Sequence, residues 1–160
     1  MLQTRLGGGD FQKGASVLNE FCQEHGYTST HLGREFLASN PTDDNYTSAS
    51  DCCRLLSDIY SGTMVNTNAS ADMLTLLKAQ TRTGKIPSGI PSGVETANKT
   101  GELSAGDGLG VVENDIAIVF DKEHPYVLCV LSNNIQNNSS AQETIQKISA
   151  DVYQYMTSRK

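Results

Sequence analysis

Apolar residues recur at helical spacing through the first half of the chain and at strand spacing through much of the second. Phe11, Ala15, Leu18 and Cys22 stand at i, i+4, i+7 and i+11. They form one face of a helix over residues 10–25, which Asp10 can cap and Gly26 can end. Residues 28–47 lose the period and hold Gly33, Pro41 and the turn cluster Asp43-Asp44-Asn45. A long loop is predicted there, and ordered loops of that length are often functional. Ser48-x-x-Asp51 opens a second helix in the manner of a capping box, with Cys52, Leu55, Leu56 and Ile59 inward and Gly62 as its stop. A third, short helix runs from about Ser70 to Gln80 through Met73, Leu74, Leu76 and Leu77. Thr83 to Gly93 contains Pro87 and Pro91 and reads as irregular.

From Val94 the period becomes two. Val94–Lys99, Asp115–Phe120 and Tyr126–Ser132 are predicted strands, with a hairpin turn over Asp121 to Pro125. A closing helix over roughly Ser140 to Met156 gathers Ile145, Ile148, Val152 and Tyr155 on one stripe. Helices followed by a three-stranded antiparallel sheet covered by a C-terminal helix define an α+β chain. Residues 1–160 read as a single domain without repeats or an internal boundary.

Composition narrows the function classes. The chain has 160 residues, 38% of them hydrophobic, enough for a folded core rather than a disordered segment. A net charge of −6 without a Lys/Arg cluster argues against a nucleic-acid partner. No apolar run reaches membrane-spanning length, so no membrane insertion is expected, and residues 1–10 lack signal-peptide character. Cys22, Cys52, Cys53 and Cys129 lack metal-ligand spacing and read as buried free thiols; His25, His31 and His124 read as ordinary histidines. Neither a metal nor a cofactor is expected.

One motif carries chemistry. Asn98-Lys99-Thr100-Gly101-Glu102 ends a predicted strand, follows the Pro/Gly stretch Gln80 to Pro91, and precedes Asn114-Asp115, a strand hairpin and the final helix. Upstream stand Leu6-Gly7-Gly8, Arg34, Asn40 and Asn45-Tyr46-Thr47-Ser48-Ala49. In this order the chain resembles class A β-lactamases and the wider penicillin-recognising serine hydrolases, over essentially all 160 residues and corresponding to their C-terminal portion. The resemblance implies a β-lactamase/transpeptidase-like fold and an acyl-enzyme reaction on a β-lactam or a peptidoglycan-like small-molecule amide. It makes Lys99 a catalytic positive charge and gives the Thr100 hydroxyl to the substrate carboxylate. Gly101 would let the substrate backbone approach, and the Glu102 N–H would be half of an oxyanion hole.

The chain departs from that family in two places. No Ser-x-x-Lys occurs in it, and Ser132-Asn133-Asn134, which matches the family's Ser-x-Asn, follows the motif strand and reads as turn chemistry. Counting from Arg34 to Asn40 puts Phe36 where class A enzymes keep the glutamate that activates the deacylating water. Glu35 is one residue early, and Asn40 keeps an amide that holds water without acting as a base. Glu35 and Asn40 are thus the candidates for a deacylation loop, and Phe36 shifts the expectation toward a slowly turning-over penicillin-binding relative. The expected chain is a hydrolase part inactive alone; the alternative is a non-catalytic binding or structural module that retains the fold. The family works extracytoplasmically. Its sheet has two further strands, so an open edge at Tyr126–Ser132 is expected to self-associate or to take an N-terminal complement.

Overall fold

The computed structural model describes residues 2–38, 42–104 and 111–158. The chain divides into two compact units, Met1–Asp51 and Cys52–Lys160.

In the first unit, α1 (Leu2–Leu6) precedes α2 (Phe11–Glu24). Asp10 caps α2 by accepting the Lys13 N–H at 3.2 Å, and Ala15 and Cys22 are buried on its inner face. The following loop is tied by side-chain amides. Asn19 exchanges two hydrogen bonds with the Leu32 backbone, and Asn45 Oδ1 accepts from the Gly33 and Arg34 amides. A lone bridge joins His31 to Tyr46. Ser48 caps α3 (Ala49–Ser61) by accepting the Asp51 N–H at 3.0 Å. Only half the expected box is used for the cap: Asp51 Oδ2 instead accepts from the Ser29 amide and the Thr30 hydroxyl.

In the second unit the rest of α3 leads to α4 (Thr67–Lys78), a 3-10 turn (Ile86–Gly89) and three strands. Helix α4 begins three residues before the sequence reading because Asn66 accepts the Ala69 N–H. The strands are β1 (Glu95–Leu103), β2 (Val112–Phe120) and β3 (Tyr126–Val130), antiparallel in the order β1-β2-β3. Helix α5 (Asn138–Thr157) follows, capped by Asn137. The core joins Ile86 and Ile90 to Ala117 and Val119 of β2 and Ile145 of α5.

Helix α5 corrects the predicted stripe. Ile148 is 37% and Tyr155 55% exposed, whereas Ile145 and Ser149 are buried. The reason lies in the 3-10 turn. A Cβ on Gly89 would sit 2.6 Å from the Ser149 Cβ and nearer still to the Gln146 carbonyl, so the backbone approach needs a small residue on each side. The Ser149 hydroxyl donates to the Ile86 carbonyl at 2.8 Å. On the opposite flank the Ile86 N–H donates to Asp115 at 2.9 Å.

Candidate functional site

Strand alternation divides the motif between the two faces of β1. Asn98, Thr100 and Glu102 lie opposite Ala117, Asp115 and Glu113, on the face that meets the 3-10 turn. Lys99 and Gly101 lie opposite Ile116 and Asn114 on the other face. Asn98 and Thr100 are buried and Lys99 is exposed. Its ammonium donates to the Thr100 carbonyl. Among the described residues β1 pairs only with β2, so the far edge of β1 has no strand partner. The strand continues to Leu103 rather than ending at Lys99, because Thr100–Leu103 pair with Val112–Asp115.

Asn98 and Asp115 serve the scaffold. The Asn98 amide donates to Asp115 Oδ1 and to the Arg82 carbonyl, both at 3.1 Å. Asp115 is fully buried, and that burial pushes its carboxyl above the ordinary range despite hydrogen bonds from Asn98 and the Ile86 amide and the charge of Lys85.

Beyond Thr100 the structure gathers residues that sequence reasoning missed. The Lys85 side chain is 5% exposed, and its Nζ donates to Glu102 Oε1 at 2.9 Å and to the Asn114 carbonyl at 3.0 Å. It also lies 2.5 Å from Glu113 Oε2 without hydrogen-bond alignment, so that contact is Coulombic. Arg82 Nη1 holds the second Glu102 oxygen at 2.9 Å. Glu113 Oε1 accepts from Asn138 and Gln142 of α5. A cavity of about 430 Å³ opens here, bordered by Arg82, Lys85, Thr100, Glu102 and Gln142 among others. The available signal was faint: Arg82 precedes and Lys85 falls within the stretch Thr83 to Gly93, whose prolines predict only irregularity. The side chain of Glu102 is thus engaged in anchoring β1, leaving its backbone N–H as the group the resemblance assigns to chemistry.

Burial alone would raise the Glu102 carboxyl. The Lys85 hydrogen bond and charge, then the Thr100 hydroxyl and Arg82, outweigh it and hold the carboxyl below its ordinary value. The stability from this group is therefore full above the unfolded carboxyl pKa and lost as pH falls through the lowered folded value. Asp115 acts in the opposite sense: its cost is full above its raised folded value and gone below the unfolded one. Glu102→Gln should lower stability at neutral pH and converge with the unaltered chain in acid, as read by urea titrations across pH. Parallel pH profiles would deny the coupling.

The predicted deacylation loop lies in the first unit. Arg34 Nε pairs with Asp44 Oδ1 at 2.5 Å. Glu35 is exposed, Phe36 is 64% exposed, and Leu37 takes a left-handed φ of 63°. Asn40 lies outside the described residues. Ser132, of the Ser-x-Asn match, accepts from the Glu113 N–H and donates to the Glu113 carbonyl, while Asn134 turns the chain at φ 50°.

Comparison with known proteins agrees with this architecture. A model of the Beta-lactamase enzyme family matches residues 10–156. Beta-lactamase 3 of Bacillus cereus is 30% identical over 138 residues, covering 82% of this chain and 42% of that protein. A β-lactamase from Sphaerobacter thermophilus superposes with TM-score 0.80 at 19% identity, covering 93% of this chain and 56% of its own. PBP-A superposes at 0.73 with 21% identity, over 92% of this chain and 54% of its own. The TLA-1 extended-spectrum β-lactamase gives 0.74 at 19%, over 96% of this chain and 62% of its own. The chain thus spans roughly half the length of these relatives. By the family match over most of its length and by its fold, this chain belongs to the β-lactamase enzyme family.

Proposed function

We propose that β1 forms the substrate-facing wall of a class A-like serine hydrolase acting on a β-lactam or a peptidoglycan-type amide through an acyl-enzyme. Gly101 is the observation that carries this reading. A Cβ built on it would meet nothing closer than the Asn114 side chain at 3.8 Å, and its φ lies outside the left-handed region. The fold does not need glycine here, and glycine weakens a strand interior. A substrate lying along the β1 edge, which has no strand partner among the described residues, beside the exposed Lys99, does need it. In this role Lys99 supplies positive charge to the nucleophile and carboxylate, and the Thr100 hydroxyl turns from the Glu102 carboxylate it now holds to the substrate carboxylate in the cavity it borders with Arg82 and Lys85. The Glu102 N–H polarises the reacting carbonyl.

The nucleophile comes from sequence outside these 160 residues, and the chain alone is inactive. It is one part of a single β-lactamase-like domain that works outside the cytoplasmic membrane. Incubated with a penicillin, the chain should show no penicilloyl mass gain by intact-mass spectrometry. A stable adduct on one of its serines would overturn the assignment. The DNA upstream of the Met1 codon is the companion measurement. An open frame encoding Ser-x-x-Lys and then Ser-x-Asn supports the hydrolase, and their absence supports a binding or structural module that kept the fold. Phe36 in place of the water-activating glutamate favours slow deacylation within the enzyme reading.

The outer edge of β3 has no strand partner among the described residues, and Tyr126–Val130 are only half-buried. Such an edge recruits another strand. The expected partner is an N-terminal complement carrying the nucleophile or, in its absence, a second copy of the chain. Sedimentation at rising concentration should show association; a monodisperse monomer throughout would count against it.

A further inference from the structure

Two thiols on separate elements of the second unit converge. Cys53, on α3, borders a cavity of about 420 Å³ together with Ser57 and Tyr60 of the same helix and Ile118 and Val127 of the sheet. Cys129 stands two residues from Val127 and so on the same face of β3, opposite Ile116. The Cys53 thiol lies near enough to act on the titration of the Cys129 thiol. Cys52 is the more weakly interacting neighbour of Cys129, and it is turned roughly 100° around the helix from Cys53. No disulfide forms among the described residues.

We propose that Cys53 and Cys129 are a redox-active pair, converted by a low-molecular-weight disulfide into a bridge that ties α3 to β3. The two thiols differ in ways that set the order of steps. Burial, then the nearby Cys53 thiol, pushes Cys129 far above the ordinary thiol range, which suppresses its thiolate. Cys53 borders the open cavity and is the thiol a small disulfide reaches first. Its thiolate attacks one sulfur of the reagent, forming a mixed disulfide and expelling one reagent thiolate. Cys129 then gives up its proton and attacks the Cys53 sulfur, expelling the second. Both protein protons end on the two expelled thiolates. Two protein thiols are oxidised and one reagent disulfide is reduced. Cys22, buried on α2 in the first unit, serves as the internal control.

The experiment treats the whole chain, under native conditions at neutral pH, with bis(2-hydroxyethyl) disulfide, followed by intact mass and non-reducing peptide mapping. The expected product has lost two hydrogens, retains no reagent and carries a Cys53–Cys129 bridge, with Cys22 unmodified. Its thermal midpoint rises and returns on adding dithiothreitol. Cys129→Ser should instead trap the mixed disulfide on Cys53. A stable mixed disulfide on the unaltered chain, a Cys52–Cys129 bridge, or four unmodified thiols would each overturn the proposal. None of these readouts depends on catalysis, so the hydrolase reading and this one stand or fall separately.

Discussion

Lys85→Met should lower the unfolding free energy by about 3–5 kcal/mol at neutral pH, the range for breaking a buried ion pair by removing one partner. Glu102 and Glu113 lie directly opposite each other across β1 and β2, and like charges in that relation repel. Among the described residues, the Lys85 ammonium, on a side chain 5% exposed, is the cation paired with both of them, while Arg82 holds Glu102 alone. Methionine keeps most of the stem, so little of the loss comes from packing. Without the cation, the Glu102 carboxyl that Lys85 now helps hold low would move up. The deficit should then be largest at neutral pH and shrink as the solution is acidified. Adding Glu113→Gln to Lys85→Met should restore much of the stability, a coupling that the double-mutant cycle measures directly. A loss under about 1 kcal/mol, typical of exposed pairs, would mean that the cluster is hydrated and does not anchor β1.

In a form of the protein that carries the upstream nucleophile, Gly101→Val should slow acylation by a penicillin by about 100-fold, the scale of a misplacement near 1 Å at a reacting centre. The same change should leave folding of the present chain unaffected or improve it by up to about 1 kcal/mol, since a β-branched residue replaces glycine in a strand. The opposite signs make the prediction sharp. Two measurements decide it: the second-order acylation rate, and urea midpoints for both variants. Unimpaired acylation would remove Gly101 from the substrate wall. A fall in stability would mean that the open space around its Cβ is needed by the fold after all.

Where local chemistry and hydrophobic period agree, the sequence was readable. Helix α2 has a cap at Asp10 and an end at Gly26, where φ is 76°, and its apolar face turned inward at Ala15 and Cys22. The family motif was also legible, since its order along the chain survives without knowledge of contacts. What escaped reading is polar and long-range. Ser149 lies on the inner face of α5 because its hydroxyl reaches Ile86, which no apolar period reveals, and Ile148 was placed inside in its stead. The last four residues of β1 pair with Val112–Asp115, where Glu102 faces Glu113 and Thr100 faces Asp115, so the inner face there is written in polar and charged residues. Lys85 and Arg82 entered the site from a stretch whose prolines predict only irregularity, because the partners that order it come from β1, β2 and α5.

The turn at Ile86 also constrains when this unit can finish folding. Its amide finds a partner in Asp115, 29 residues later, and its carbonyl finds one in Ser149, 63 residues away. During synthesis nothing can fix the turn until β2 and then most of α5 have left the ribosome. Contacts of such separation must close long loops before they stabilise anything, which slows folding. Arg82 and Lys85 lead into this turn, so the order of the backbone that carries them waits on both β2 and α5.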